Sequence, residues 1–301
     1  MPDYNVVIVG GGPAGLTAGL HLARAGHPAL ILERDMFGGN LQHTARIEDY
    51  SAYPDGITGA QLAANMIEAA TSAGVTLEQA DVSGLELFSR SRWVACSDGR
   101  GFSCQVVILA GGTRYQRLGL PNEDRLRGRG VIDCTPCDGG FFVGEKVAVY
   151  GASRYAVMDA TYLANLGASI ILLDPAADPE GIPNVEVRRG MQLVAILGDE
   201  RVEGIVCSDT TTRQQETLPV RGVAIRTGSV PNTDEFSETV DCDALGYIAT
   251  DADLSTSAAF VLACGDIRAE GGQGVAAAVE DGARAAARAA ELCQISNTAA
   301  R

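Results

Sequence analysis

The sequence predicts an α/β fold, and three observations carry that prediction. An apolar strand, a glycine-rich turn and a helix open the chain. The same succession recurs in its middle, and a further apolar strand followed by an alanine-rich helix closes it. With 301 residues, 46% of them hydrophobic, there is material for about two domains of ~150 residues, each with a core of its own.

The first unit runs Val6-Val7-Ile8-Val9-Gly10-Gly11-Gly12-Pro13-Ala14-Gly15, then a helix from Leu16 to Ala25, a turn at Gly26 and a strand ending at Leu32-Glu33. A lone glycine motif says little. Here it follows a buried strand, opens a helix and precedes an acid at the end of the next strand, which is the context a dinucleotide site needs. Gly10 permits the tight turn, Gly12 lets the backbone approach a pyrophosphate, and Gly15 lets the helix pack close to the strand. The helix N-terminus faces the phosphates, and Glu33 is the acceptor for adenosine ribose hydroxyls.

Between the two copies, Val82 to Leu109 alternates apolar and polar positions and reads as a small antiparallel insertion. It leads into the buried strand Val106-Val107-Ile108-Leu109, which ends in Ala110-Gly111-Gly112, where small residues admit a ligand. The second copy begins at Val147-Ala148-Val149-Tyr150-Gly151-Ala152-Ser153-Arg154-Tyr155-Ala156. It continues through a helix to Leu166, turns at Gly167 and reaches Leu173-Asp174. Val223-Ala224-Ile225-Arg226 closes that unit. The last strand, Phe260 to Ala263, meets Gly265-Asp266 and the alanine-rich helix that begins near Val275.

A net charge of −15 argues against nucleic acid and anionic membrane surfaces as partners. No run of ~18 apolar residues long enough for a membrane span occurs, and the start of the chain lacks the basic segment of a secretory signal. The expectation is a soluble, cytoplasmic protein. Arg114, Arg117, Arg125, Arg127 and Arg129 cluster in this acidic chain. They read either as a solvated face or as a surface that steers an acidic protein partner.

Six of the eight cysteines, Cys96, Cys104, Cys207, Cys242, Cys264 and Cys293, are scattered without metal-ligand spacing and read as packing residues. Cys134-Thr135-Pro136-Cys137 stands apart. Two cysteines three apart near a helix start close a small redox-active ring, and the helix N-terminus stabilises the thiolate that reacts. Half of a zinc site is the alternative. However, there is no second C-x-x-C, and His21, His27 and His43 lie far away in sequence. No metal is expected. Asp138, next in the chain, fits the first turn of a helix on dipole grounds alone.

With Gly10–Gly15, Ala110-Gly111-Gly112, Cys134-Thr135-Pro136-Cys137-Asp138-Gly139 and Gly265-Asp266 in this order, the chain resembles the low-molecular-weight thioredoxin reductases. These are FAD-dependent pyridine nucleotide-disulphide oxidoreductases. The resemblance covers nearly the whole length and takes in Ile57-Thr58-Gly59, Gly228 to Thr233 and Gly246 to Asp251. It implies two Rossmann-like dinucleotide-binding domains, the second inserted into the first. These would be a discontinuous FAD domain at 1–115 and 243–301, and a pyridine-nucleotide-type domain at 116–242 that carries the cysteine pair. It also implies a homodimer. Asp266 would hold the ribityl–phosphate region of the flavin. Gly39, Asn40, Gly111, Gly265, Gln273, Gly274 and Val275 would join Gly10, Gly12, Pro13, Ala14, Gly15 and Glu33 around FAD. Cys137 would take electrons from the flavin, Cys134 would attack the disulfide of a thioredoxin-like protein, and Asp138 would protonate a leaving thiolate. An alternative of the same resemblance is an FAD-dependent dithiol oxidase, acting on a small molecule with oxygen as acceptor.

The second unit departs from the family pattern. Ser153 stands where a glycine is usual, and Asp174-Pro175-Ala176 replaces the basic cluster that grips a 2′-phosphate. An acid there suits a free ribose hydroxyl and repels a phosphate. NADPH is therefore not the expected donor. Three readings of the site at Gly151, Ser153, Arg154, Tyr155 and Asp174 stay open: it takes NADH, it holds a second FAD, or it is vestigial and electrons arrive from ferredoxin. Near the flavin, Gln273-Gly274 stands where the family has Arg-Gln.

Overall fold

A computed structural model describes residues 2–177, 179 and 181–299. It divides into two compact units, one made of the residues up to Gln42, Arg46–Arg114 and those from Val230 onward, the other of His43–Ala45 and Tyr115–Ser229.

In the first unit, strands Thr76–Gln79, Ala29–Glu33, Tyr4–Val9 and Gly101–Leu109 lie side by side in parallel, and Val261–Ala263 pairs in parallel with Gly101–Leu109. The central residues of Ala29–Glu33, Tyr4–Val9, Gly101–Leu109 and Val261–Ala263 are buried on both faces, as their apolar runs require. Successive side chains go to opposite sides. Val6, Ile8, Ile31 and Ile108 pack with Leu16 and Leu22 of helix Pro13–Arg24 and with Ala285 and Ala289 of helix Val275–Ala299. Val7, Leu30, Leu32 and Val107 pack on the other side with Val94, Ile248 and Ile267. The antiparallel segment extends this same sheet: Val82–Leu87 pairs with Arg92–Cys96, and Arg92–Cys96 with the first half of Gly101–Leu109.

The second unit repeats the plan on a smaller scale. Strands Val185–Arg188, Ser169–Leu173, Lys146–Tyr150 and Gly222–Ile225 form a parallel sheet. Helix Arg154–Asn165 covers one face through Ala156, Ala160 and Leu163. A three-stranded antiparallel sheet, Met191–Leu197, Gly204–Asp209 and Gln215–Leu218, covers the other through Leu193, Ile205 and Leu218.

Thr113–Tyr115 and Ser229–Pro231 pair where the chain passes from one unit to the other and back. The return falls at 229/230, earlier than the sequence boundary at 242/243. The reason is packing: Phe236 and Val240 are buried against the sheet of the first unit with Val107, Val261 and Ile267. Among the described residues no helix is long and apolar enough to cross a membrane.

Candidate active site

The turn after Tyr4–Val9 is dictated by close backbone approach. Gly10 has φ +109°, and a Cβ there would lie 2.3 Å from the carbonyl oxygen of Ala110. A Cβ on Gly15 would lie 1.9 Å from the carbonyl oxygen of Gly10. Both positions are closed to any side chain. Helix Pro13–Arg24 then starts with Gly12 as N-cap, Pro13 in its first turn, no side-chain cap and no acid in that turn. Its free N–H groups and positive dipole end are left for an anion. A Cβ on Gly12 would meet no protein atom within 4 Å, so open space lies in front of the turn.

Of the remaining flavin-site candidates of this unit, Gly39 and Gly265 lie against this turn and the start of its helix. Glu33 accepts from the Gly11 N–H at 2.7 Å and from the Asp35 N–H at 2.9 Å, with lone pairs left for ribose hydroxyls. Gly39 packs on Gly12, where its Cβ would stand 3.2 Å from the Gly12 Cα. Asn40 donates to the Thr113 carbonyl at 3.0 Å, and the Gly111 carbonyl accepts from Asn232 at 2.8 Å. Gly265 approaches Ala14, and a Cβ there would lie 2.9 Å from that of Ala14. Asp266 comes next, with its Oδ1 buried and without a hydrogen-bond partner. Burial and the neighbouring Asp281 carboxylate push its carboxyl above the ordinary range. Val275 joins the cluster of Leu41, Ile57 and Leu62. Gln273 is exposed in the loop before the final helix, and the Gly274 carbonyl accepts the first helical N–H, from Ala278, at 3.1 Å.

Two residues that sequence reasoning missed hold this loop. Asp281 is buried, accepts from the Gly265 N–H at 3.1 Å and pairs with Arg268 at 2.6 and 3.0 Å. The available signal was an acid placed inside an alanine-rich helix that packs against the sheet.

The cysteine pair lies in the second unit. Cys134 and Cys137 are joined as a disulfide with a Cα–Cα distance of 5.3 Å. Cys134 is the N-cap of the short helix Thr135–Asp138, and its sulfur accepts the Cys137 N–H at 3.2 Å. That donor favours negative charge on the Cys134 sulfur when the bond opens. Cys134 is 8% exposed, whereas Cys137 is exposed. Burial and the Asp133 carboxylate push the Asp138 carboxyl above the ordinary range. The other six cysteines are free thiols, and burial pushes the Cys104 thiol up to about 12, which makes it inert. Among the described residues no cluster of three or more His, Cys, Asp or Glu side chains is placed to hold a metal ion.

A profile of the family described as Pyridine nucleotide-disulphide oxidoreductase matches residues 4–282. The chain belongs to that family. It is 33% identical over 275 residues to the thioredoxin reductase of Streptomyces coelicolor, a match that covers 87% of this chain and 85% of the relative. It is 34% identical over 278 residues to the bifunctional thioredoxin reductase/thioredoxin of Mycobacterium leprae, covering 88% of this chain and only 60% of that longer protein. Among solved structures, the thioredoxin reductase of Lactococcus lactis in its FR conformation superposes with a TM-score of 0.90 at 30% identity, covering 97% of this chain and 100% of that one. A ferredoxin-flavin thioredoxin reductase from Clostridium acetobutylicum superposes with a TM-score of 0.53 at 26% identity, covering 96% and 97%. This pyridine nucleotide-disulphide oxidoreductase is accordingly an FAD-dependent disulfide oxidoreductase with the build of a thioredoxin reductase. The open turn at Gly12 and the orphaned oxygen of Asp266 fit the flavin that the family carries.

In this family member the second glycine turn keeps the backbone geometry of the first but not its side chains. Gly151 has φ +142°, and a Cβ there would lie 2.2 Å from the carbonyl oxygen of Arg226. Ser153 is the N-cap of the next helix, yet its hydroxyl donates to that same carbonyl at 2.7 Å and caps nothing. Arg154 lies over the Tyr155 ring, 5.0 Å from its centroid. Asp174 has φ +50° and accepts from the Gly190 N–H at 3.1 Å. Arg189 donates to the Pro175 carbonyl at 2.7 Å, bringing a cation to the strand end from a part of the chain that local sequence did not point to. The arginine cluster is largely matched by acids: Arg114 pairs with Asp234, Arg117 with Asp124, Arg125 with Asp199 and Arg127 with Asp133. Paired in this way, it offers a partner little free positive charge.

Proposed function

We propose that this enzyme passes electron pairs from FAD to the Cys134–Cys137 disulfide and on to the disulfide of a thioredoxin-like protein, with a donor other than NADPH. The observation that carries the proposal is the cysteine motif, a disulfide at a helix start with an N–H on the Cys134 sulfur and a carboxyl of raised pKa beside it. Gly12, Glu33 and Asp266 would hold FAD, whose bound, reduced ring supplies two electrons. Breaking the S–S bond consumes those electrons and one proton and yields a Cys134 thiolate and a Cys137 thiol. Cys137, the exposed residue of the pair, is the one open to receive the electron pair; Cys134 is the leaving group, favoured by its N–H donor. The Cys134 thiolate then attacks a sulfur of the partner and releases a partner thiolate, which takes its proton from Asp138. Cys137, deprotonated by the Asp138 carboxylate, attacks the mixed disulfide. The second partner thiolate leaves, with its proton from Asp138, and the internal disulfide is restored.

A protein partner is favoured over a small dithiol by the surface beside the motif. Phe141 is 82% exposed and Val143 58% exposed, and Leu166 reaches Gly139. Exposed apolar side chains at this density are features of a protein-docking surface.

The donor reading rests on Asp174, an acid where a 2′-phosphate would have to sit. NADH, a second flavin and ferredoxin all remain compatible with it, and one structural relative carries ferredoxin in its name. Anaerobic titration of the flavin-loaded protein with NADPH, NADH and reduced ferredoxin, read as flavin bleaching, tests this half. Rapid bleaching by NADPH overturns it. The disulfide half is tested by trapping: Cys137→Ser should give a stable mixed disulfide with a thioredoxin-like protein through Cys134. Trapping through Cys137 in the Cys134→Ser protein reverses the roles, and oxygen uptake driven by small dithiols would favour an oxidase.

A further inference from the structure

Arg226 ends the strand Gly222–Ile225 and is 2% exposed. All of its N–H donors are used. Nε donates to Asp159 Oδ2 at 2.6 Å, and Nη1 donates to the carbonyls of Ile132 at 3.3 Å and Ile225 at 2.9 Å. Nη2 donates to the Asp133 carbonyl at 3.0 Å and to Thr135 Oγ1 at 3.1 Å. Thr135, 1% exposed, donates its own hydroxyl to the same Asp159 oxygen at 2.7 Å. The Tyr115 ring covers the guanidinium at 4.1 Å.

Three of these acceptors, the carbonyls of Ile132 and Asp133 and the Thr135 hydroxyl, belong to the segment that contains Cys134. They bracket that cysteine on both sides. Stability alone does not account for the arrangement, because the cost of desolvating a buried ion pair is commonly as large as its Coulomb gain, and an apolar pair of similar volume serves as well. An apolar pair could not hold both the backbone before one cysteine and the hydroxyl of the residue after it. The guanidinium, with a fixed fork of five donors, can do both.

We propose that Arg226, with Asp159 and Thr135, is a positioning group for the redox pair. It fixes the Cys134 backbone so that the sulfur stays on the Cys137 N–H, and it thereby favours the thiolate formed when the disulfide opens. Arg226 touches none of the reacting atoms. The inference rests on the reading of Cys134–Cys137 as the working disulfide.

The test uses the full flavin-loaded chain. Arg226→Met combined with Asp159→Asn removes both charges together, so that neither is left buried alone. After reduction, alkylation of Cys134 is followed by mass against pH, and the dithiol–disulfide equilibrium is measured against dithiothreitol. The expected result is alkylation slowed about tenfold near neutral pH and an equilibrium shifted about tenfold toward the disulfide, equivalent to ~30 mV. Thr135→Val, which leaves the ion pair in place, should move both readouts in the same direction by about threefold, and it decides the matter if the double variant does not fold. Wild-type values for both readouts in a folded variant would overturn the proposal and leave the ion pair a structural element only. A parent protein whose disulfide does not exchange with dithiothreitol would instead overturn the reading on which the inference rests.

Discussion

At Gly10 an added Cβ would lie 2.3 Å from the Ala110 carbonyl oxygen, and at Gly151 it would lie 2.2 Å from that of Arg226. The two glycine turns are thus built against the end of a neighbouring parallel strand in the same way. Beyond that shared contact they diverge. After Gly10 the neighbouring strand ends in Ala110 and glycines, Gly12 faces open space, and Asp266 leaves a buried oxygen unpartnered. After Gly151 the neighbouring strand ends in a buried arginine that grips the cysteine segment, and Ser153 folds its hydroxyl back onto that arginine's carbonyl. The backbone sets where a dinucleotide could lie, whereas the side chains decide whether the site is kept for one.

The largest effects should come from breaking the shared contact. Gly10→Ala and Gly151→Ala each place a methyl group against a carbonyl at a positive φ, with a cost of about 2–5 kcal/mol in either unit. Their consequences for the cofactor should part. Gly10→Ala is expected to purify without flavin, and Gly151→Ala with the flavin content of the parent but a lower melting temperature. Absorbance ratios and thermal unfolding measure both. Loss of flavin from Gly151→Ala as well would remove the functional contrast between the turns.

Much of this contrast was legible in the sequence, because it is local. The apolar strands, the glycine positions, the acid at each strand end and the substitution of Ser153 are all read within a few residues of one another. The elements that escaped are joined by distant partners. Arg226 reads as the polar end of a strand, and only the fold brings Ile132, Asp133, Thr135 and Asp159 around it. Asp159 lies on helix Arg154–Asn165 and is 9% exposed, a burial that no local sequence feature marks. Phe236 and Val240 lie in a stretch without clear periodicity, and only their burial against the first unit's sheet puts the return at 229/230 rather than 242/243. The arginine cluster was visible as charge, but the acids that neutralise it, Asp199 and Asp234 among them, lie far along the chain.

A smaller effect separates two polar groups, one near each turn. Asp266 Oδ1 and Thr227 Oγ1 are both buried without a partner. Asp266→Asn should stabilise the flavin-free protein by about 1–3 kcal/mol, because an unpaired buried carboxylate is removed. It should also weaken FAD binding by about tenfold, ~1.4 kcal/mol. The pH dependence carries a sign. Burial raises the folded pKa of Asp266 above its value in the unfolded chain, so in the parent this carboxyl takes up a proton on folding. The flavin-free parent therefore gains stability from it as pH falls through the raised pKa, and the variant lacks that gain. Thr227→Val should stabilise by about 1 kcal/mol with flavin content unchanged. A fall in bound dinucleotide in that variant would assign a dinucleotide to the second turn.

The smallest expected change tests whether the second turn can be made to behave like a phosphate site. Ser153→Gly removes one hydrogen bond to the Arg226 carbonyl, costs about 1 kcal/mol and opens the space that Gly12 leaves open in the first turn. On the proposed donor reading, it should alone leave bleaching by NADPH as in the parent, because Asp174 would still oppose a 2′-phosphate. Combined with Asp174→Ala, it removes the like charge as well and leaves Arg189 beside the Pro175 carbonyl. The rate with NADPH should then rise about tenfold, the scale of one relieved charge contact at a partly exposed site. Stopped-flow bleaching under anaerobic conditions reads both variants. A rise from Ser153→Gly alone would assign the discrimination to the hydroxyl. No rise in the double variant would place the obstacle at the buried Arg226, whose carbonyl Gly151 and Ser153 both face and whose side chain is already committed to the segment around Cys134.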